Sequence, residues 1–344
     1  MFLEIPFEKI KKNTVFIDVR SEGEYDEAHI PGAVNIPLFR NEERRIIGTA
    51  YKNESVSEAR KLGIQFASAR LPQIYEMILS LKDSHERQLI AYCARGGYRS
   101  TFFASAFSSI GVGVLKLDGG YKRYRNYIIE NLPKLNNDLN YIVLHGNTGT
   151  GKTKILKSLK NHGLDVLDLE GAANHRGSVL GSVGLGPCNN QKQFESNIFH
   201  QMQSYKTQNI FVEAESRKIG NVLIPGYIHE KMKTGVHILI EEELDYRVQV
   251  IKDDYTQKKD YQVEILQSLS YLKKYMSKEK LNILSKSIQE GNISDAISDL
   301  MVNYYDPLYT NKSDKYDYQL TLSGLADPEK TALAIEEWLD KEGK

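Results

Sequence analysis

The sequence predicts an α/β protein with two sheet-bearing domains followed by a mainly helical C-terminal part. Three observations carry this. Short apolar runs, among them Val15-Phe16-Ile17, Gln88-Leu89-Ile90-Ala91-Tyr92, Tyr141-Ile142-Val143-Leu144-His145, Asn209-Ile210-Phe211-Val212 and Val236-His237-Ile238-Leu239-Ile240, alternate with helix-like segments, the arrangement of parallel sheets. The third run leads straight into Gly146-Asn147-Thr148-Gly149-Thr150-Gly151-Lys152-Thr153, which has the spacing of a phosphate-binding P-loop. From about Leu244 the pattern becomes long and amphipathic, with lysines spaced among Tyr and Leu, and it ends in a helix from Pro328 to Lys341 that carries Trp338.

A chain of 344 residues is long enough for two or three domains, each with its own core. With 41% hydrophobic and 26% charged residues, nothing points to disorder or a fibrous repeat. The 45 basic and 45 acidic side chains cancel, so nucleic-acid binding must rest on local basic surface. No apolar run has the length of a membrane span, and Met1-Phe2-Leu3-Glu4 lacks the basic start of a signal peptide. A cytoplasmic protein with no membrane partner is expected. Two distant cysteines, Cys93 and Cys188, argue against a disulfide framework. Cys188 has no basic neighbours in sequence and receives no role.

The first domain is expected over residues 1–130. Its opening strand ends in Asp18-Val19-Arg20, and Glu24-Tyr25 and His29-Ile30-Pro31-Gly32-Ala33-Val34-Asn35-Ile36-Pro37 follow. Asp18, Arg20, Glu24 and His29 are suited to tying loops together by charge-assisted hydrogen bonds, a scaffold role. Downstream, Cys93-Ala94-Arg95-Gly96-Gly97-Tyr98-Arg99-Ser100 lies between a strand end and a helix start. Loop N–H groups, the helix dipole and the cations Arg95 and Arg99 all favour thiolate over thiol, which makes Cys93 a candidate nucleophile. These strings, with Asp118-Gly119-Gly120-Tyr121, resemble a rhodanese domain. A basic insertion at about 40–70 contains Arg44, Arg45, Lys52 and Gly63. Its charge suits a polyanion or a solvated helix face equally.

Residues 131–140 are polar with a proline and read as a linker. The P-loop domain is expected over 141–243, with a parallel sheet of P-loop kinase type. Its glycines let successive N–H groups turn onto one anion, Lys152 reaches phosphate oxygens and Thr153 is suited to Mg²⁺. Asp168 and Glu170 end a following strand, and His175 and Arg176 lie on the next loop, the sheet edge where ligands bind. These four join Gly146 to Thr153 as candidate phosphate or diphosphate ligands. Glu213 and Glu215 end another strand and, with Thr153, are candidate Mg²⁺ ligands in the manner of Walker B acids; pairing with Arg176 or Arg217 is the other reading. The region 244–344 is expected to be mainly helical, with Lys258, Lys259, Lys273 and Lys274 among its spaced lysines.

Taken together, the strings resemble bacterial tRNA 2-selenouridine synthases over nearly the whole length. They are Gly48-Thr49-Ala50-Tyr51-Lys52, Leu62-Gly63, Cys93-Ala94-Arg95-Gly96-Gly97, Asp118-Gly119-Gly120-Tyr121-Lys122, the P-loop, Asp168-Leu169-Glu170-Gly171, His175-Arg176-Gly177-Ser178, Glu215-Ser216-Arg217 and Tyr305-Asp306-Pro307-Leu308-Tyr309. One departure is Ala214, where that family usually carries an acidic residue. The resemblance implies replacement of sulfur by selenium in wobble 2-thiouridine, with selenophosphate as donor and geranyl diphosphate as the alkylating substrate that forms an S-geranyl intermediate. It implies catalysis at Cys93 with Arg95, Arg99 and Gly63, through a perselenide or by assisting selenium's attack. Lys152, Thr153 and Arg176 would neutralise a diphosphate leaving group, with no tightly bound cofactor. Arg44, Arg45, Lys52, Lys273 and Lys274 would grip a tRNA anticodon arm. Two rivals are a tRNA sulfurtransferase coupled to an ATP-dependent kinase, recognisable by Lys152-dependent ATP turnover, and a non-catalytic RNA-binding adaptor indifferent to loss of Cys93.

Overall fold

A computed structural model of the chain describes residues 3–81, 87–178, 180–257, 260–308 and 316–343. Lys258, Lys259 and Tyr309 therefore lie outside the described residues. The chain folds as two compact units, Met1–Leu132 with Glu195–Asn197, and Pro133–Phe194 with Ile198–Lys344.

In the first unit, β1 (Glu4–Ile5), β2 (Thr14–Asp18), β3 (Val34–Asn35), β4 (Gln88–Tyr92) and β5 (Val114–Leu117) form a wholly parallel sheet in the order β1-β5-β4-β2-β3. The helices are α1 (Glu22–Glu27), α2 (Asn41–Asn53), α3 (Val56–Leu81), α4 (Tyr98–Ser109) and α5 (Gly120–Asn137). Parallel strands are covered on both faces, which is why Leu89 to Tyr92 is an unbroken buried run. Ile17, Ile74, Ile78, Ala91, Phe103 and Phe107 share the core under α3 and α4. Burying each of the large ones contributes about 1.5–3 kcal/mol. Arg20 grips the fully buried Asp18 with Nε at 2.9 Å and Nη2 at 2.6 Å, and donates to the Ala28 carbonyl at 2.6 Å. Its guanidinium also lies 4.3 Å from the Tyr121 ring centre. The scaffold role expected for this pair is the one it has.

The insertion is helical, and much of its charge is internally paired. Arg45 bonds Glu42, Arg70 lies 3.3 Å from Glu43, and Arg44 reaches back to Glu24 at 2.9 Å. The expected linker is not a loop. Residues 131–137 continue α5 through Pro133. The helix survives its proline because Tyr121, Tyr124, Ile128 and Leu132 bury one face, outweighing a single lost hydrogen bond. Lys231 Nζ then satisfies the carbonyls of Asn136, Asn137 and Leu139 at 2.5–3.1 Å, a cation placed at a helix C-terminus.

The second unit contains β6 (Asn140–His145), β7 (Val166–Leu167), β8 (Asn209–Glu213), β9 (Lys218–Ile219), β10 (Val222–Leu223), β11 (Val236–Glu241) and β12 (Tyr318–Ser323). Its main sheet is parallel in the order β12-β11-β6-β8-β7, and β9 and β10 make a small antiparallel pair. Helices α6 (Lys152–Asn161), α7 (Leu169–Ala173), α8 (Gln191–Met202), α9 (Gly226–Lys233) and α10 (Leu244–Tyr255) lie between strands or follow them. Next come α11 (Tyr261–Leu269), α12 (Lys278–Gln289) and α13 (Ile293–Leu300), and after β12 the chain ends in α14 (Pro328–Glu342).

The boundary expected at 243/244 does not separate two compact units. Strand β12 pairs with β11 from His237 to Glu241, and Ala332, Ile335 and Leu339 of α14 enter the core of Ile142, Leu144, Ile155 and Leu159. The helical expectation holds for α10 to α13, whose Tyr255, Leu269, Leu284, Ile288 and Leu300 share one core with Leu180, Val183 and Tyr305. Among the described residues no helix is long and apolar enough to cross a membrane.

Candidate functional site

Two groups of side chains stand out, one in each unit. In the first, β4 delivers Cys93 and α4 begins at Tyr98 with Gly97 as its N-cap. The Cys93 sulfur is 3.2 Å from the Ser100 hydroxyl and 3.8 Å from the Gly97 carbonyl. Burial pushes the thiol up, but hydrogen bonds from the Ser100 hydroxyl and N–H, the Arg99 charge and the Arg95 N–H outweigh it, and the thiol sits below its ordinary value. The loop is clamped from behind, because Tyr121 N–H donates to the Cys93 carbonyl and Lys122 N–H to the Ala94 carbonyl, both at 2.9 Å. Gly120 allows this at φ 58°; a Cβ there would stand 2.3 Å from the Cys93 carbonyl oxygen. The Asp118-Gly119-Gly120 string thus serves the cysteine loop.

Arg99, expected as a catalytic cation, is held by Glu24 at 2.6 and 3.1 Å. Arg99 first, then Arg44, keeps the Glu24 carboxyl below its usual value against the burial that raises it. Glu24 therefore belongs to the site as well as to the scaffold, a role that sequence separation of 75 residues concealed. Gly63 lines the same groove as Cys93, as do Arg44, Lys52 and Arg95; Arg45 points into its own pair with Glu42. Tyr98, Arg60 and Tyr51 also line it and were not anticipated; Arg60 donates to the Tyr98 hydroxyl at 3.1 Å.

In the second unit, the P-loop runs from β6 to α6. Gly146 takes φ 145°, and a Cβ there would meet the Ile240 carbonyl oxygen at 2.4 Å, so the position needs glycine. Thr150 is buried and its hydroxyl bonds the Asn147 carbonyl at 3.0 Å, so it shapes the loop from within. Lys152 Nζ donates to the Gly146 and Asn147 carbonyls at 2.8 and 3.2 Å and lies 3.4 Å from Glu213. The Thr153 hydroxyl donates to Glu213 at 3.1 Å and lies 3.5 Å from Glu170. Carboxylate oxygens of Glu170, Glu213 and Glu215 all fall within 4.8 Å of one another. Burial, then the charges of Glu213 and Glu215, push the Glu170 carboxyl well above its usual value. These hard oxygen donors fit Mg²⁺, and the set is larger than expected by Glu170.

Arg176 lines the same cavity of about 80 Å³, its guanidinium donating to the Val183 carbonyl at 2.6 Å and lying 5.0 Å from the Tyr255 ring centre. Asp168 and His175 are not among its lining residues. Asp168 caps α7, accepting from the Gly171 N–H at 2.7 Å, as a short acidic side chain does at a helix start. The His175 ring fills the space over Gly181 and Gly220. Lys273 and Lys274 lie on the helical turn Ser270–Lys274 after α11, away from this cavity's lining.

Arg247, which no motif flagged, supports the loop from α10: Nε donates to the Thr148 carbonyl at 2.9 Å, and Nη1 and Nη2 bind Asp306 at 3.0 and 2.5 Å.

Residues 139–342 match the family described as tRNA 2-selenouridine synthase AAA domain, and residues 8–127 match the rhodanese-like domain family. The chain belongs to the tRNA 2-selenouridine synthase family. A tRNA 2-selenouridine synthase of Hydrogenovibrio crunogenus is 30% identical over 95% of this chain and 97% of its own length. One of Sulfurovum sp. is 30% identical over 90% of each chain. One of Nitrosomonas europaea is 34% identical over 71% of this chain and 64% of its own. In this family setting the rhodanese-like unit carries the thiol and the AAA unit carries the phosphate loop.

Proposed function

We propose that this protein is a tRNA-modifying transferase that converts wobble 2-thiouridine to 2-selenouridine, with selenophosphate as selenium donor and geranyl diphosphate as alkylating substrate. The observation that carries the reading is the presence in one chain of a buried thiol biased toward thiolate and a P-loop with Lys152 at its centre. In the first step the thiouridine sulfur attacks C1 of geranyl diphosphate. The C–O bond breaks, diphosphate leaves with the electron pair, and the N3 proton of the base passes to solvent. P-loop N–H groups, Lys152 and Arg176 are the groups that would balance charge on the leaving diphosphate. Mg²⁺, held by Thr153, Glu170, Glu213 and Glu215, would supply further neutralisation of phosphate oxygens.

In the second step the alkylated sulfur is a leaving group. The Cys93 thiolate displaces geranylthiolate at C2 of the base, and selenide, freed when water takes its place on the phosphorus of selenophosphate, displaces Cys93. Geranylthiol, phosphate and diphosphate are the by-products. Selenium keeps its oxidation level throughout, so Cys93 acts as a transient nucleophile rather than through a perselenide, which would need an oxidant. Helix α2, bearing Lys52, and the turn bearing Lys273 and Lys274 would contact the anticodon arm. The deciding experiment is nucleoside mass spectrometry of tRNA from cells whose only copy is Cys93→Ala. Loss of 2-selenouridine with tRNA binding retained is expected; undiminished 2-selenouridine overturns the reading.

A further inference from the structure

An apolar groove of about 780 Å³ opens over Cys93 between α2, α3 and the start of α4. Its walls are Leu38, Phe39, Ile47, Val56, Ile64 and Phe102, and the buried Cys93 and half-buried Gly63 also line it. Four large apolar side chains on it are left uncovered: Tyr51, Val56, Ile64 and Tyr98 are 61, 43, 60 and 78% exposed. Contiguous exposed apolar surface of this kind marks a binding site rather than a solvated face. Around it stand the exposed cations Arg44, Lys52, Arg60 and Arg95. Lys52 and Arg95 have no acidic partner among the described residues.

We propose that this groove binds the prenyl chain of the tRNA-borne S-geranyl base, laying the hydrocarbon between α2 and α3 while the cationic rim holds the flanking phosphodiesters. The assignment rests on the S-geranyl reading given above and adds where the chain sits. Charge complementarity selects the occupant. An apolar tail on a polyanion matches apolar walls inside a ring of cations, and the carbon under attack then lies at the thiol end of the groove. Size agrees: ten carbon groups of about water volume, ~30 Å³ each, need on the order of 300 Å³, which leaves room for the base. The P-loop cavity, about 80 Å³, does not have that space. The groove therefore takes the chain after its transfer to sulfur, not while it is attached to diphosphate.

Gly48 offers a selective plug. It lies within α2 on the groove wall, and a Cβ added there meets nothing within 4 Å. Gly48→Leu fills the groove without opposing the helix. The test uses full-length protein, tRNA carrying S-geranyl-2-thiouridine, and selenophosphate. Wild-type protein is expected to form 2-selenouridine from this tRNA, and Gly48→Leu and Ile64→Ser to raise its KM at least tenfold with unchanged thermal unfolding midpoints. Wild-type KM in both variants, with the wild-type reaction proceeding, overturns the groove assignment alone; no selenation of S-geranyl tRNA by wild type overturns the S-geranyl reading and the groove with it. A tRNA bearing a photoreactive prenyl analogue on sulfur is a direct check. Crosslinks at Ile47, Tyr51 or Ile64 support the groove, and crosslinks confined to the P-loop unit, or groove labelling only by photoreactive geranyl diphosphate without tRNA, refute it.

Discussion

The Ser100 hydroxyl lies 3.2 Å from the Cys93 sulfur, with neither group open to solvent. A hydroxyl at that distance donates to a thiolate, and with Arg99 and the N–H groups of Ser100 and Arg95 it more than offsets the burial that raises the thiol. A lowered value keeps the thiolate populated to lower pH. The midpoint of Cys93 alkylation by iodoacetamide against pH is therefore expected below that of a free cysteine, about 8.5. Ser100→Ala moves it upward, and a variant with the wild-type midpoint would show that the hydroxyl does not tune the thiol.

Lys152→Ala removes the cation at the centre of the P-loop and leaves Glu213 without it. Loss of one such contact to a developing anion costs about 10²–10³ in rate. Single-turnover transfer from geranyl diphosphate to thiouridine tRNA should fall by that factor, while selenation of pre-made S-geranyl tRNA is retained. Geranyl thionucleoside appearing at the wild-type rate would count against the diphosphate role.

Arg247 is buried and binds Asp306 through two nitrogens while holding the Thr148 carbonyl. Asp306→Ala strands that charge. The expected cost is about 3–5 kcal/mol in unfolding free energy by urea titration, with Asp306→Asn costing less because its oxygen still accepts. Equal stability of the wild type and Asp306→Ala would contradict this account of the P-loop's support.

His145, next to the P-loop, is 2.9 Å from His237, and Tyr316 lies against both rings. Burial, the neighbouring His237 and Lys152 lower His145 to about 3. The unfolded chain binds that proton near 6.5, so stability is full above 6.5 and declines as pH falls toward 3, by up to about 1.4 kcal/mol per pH unit. Urea titrations at pH 7 and 5 should show the loss, and His145→Asn should flatten it; equal slopes in both proteins would reject His145 as the source.

The parts of the fold that were legible are those written in consecutive residues. Strands β2, β4, β6, β8 and β11 are short apolar runs, and the P-loop and cysteine loop each follow a strand end. What escaped depends on distant partners. Pro133 stays helical because Tyr124, Ile128 and Leu132 are buried beneath it and Lys231 caps the end, none of which a polar decapeptide reveals. The run Tyr318-Gln319-Leu320-Thr321-Leu322 reads as a strand by itself, but its place beside β11, 82 residues earlier, does not. Among the site residues, Cys93, Lys152 and Thr153 were readable from spacing. Glu24 joined them only through its contact with Arg99, and the groove only through two helices packing beside a third. Asp168 lies outside the lining of the P-loop cavity and caps α7, a role its place just before a helix could have suggested.

The sheet order β12-β11-β6-β8-β7 imposes a timetable on synthesis. A nascent chain can close its first sheet once β5, ending at Leu117, has emerged, whereas the strand leading into the P-loop gains its second neighbour only with β11, which begins at Val236, 84 residues beyond Lys152. The thiol's own sheet can thus close while the strand leading into the phosphate loop still lacks its second neighbour.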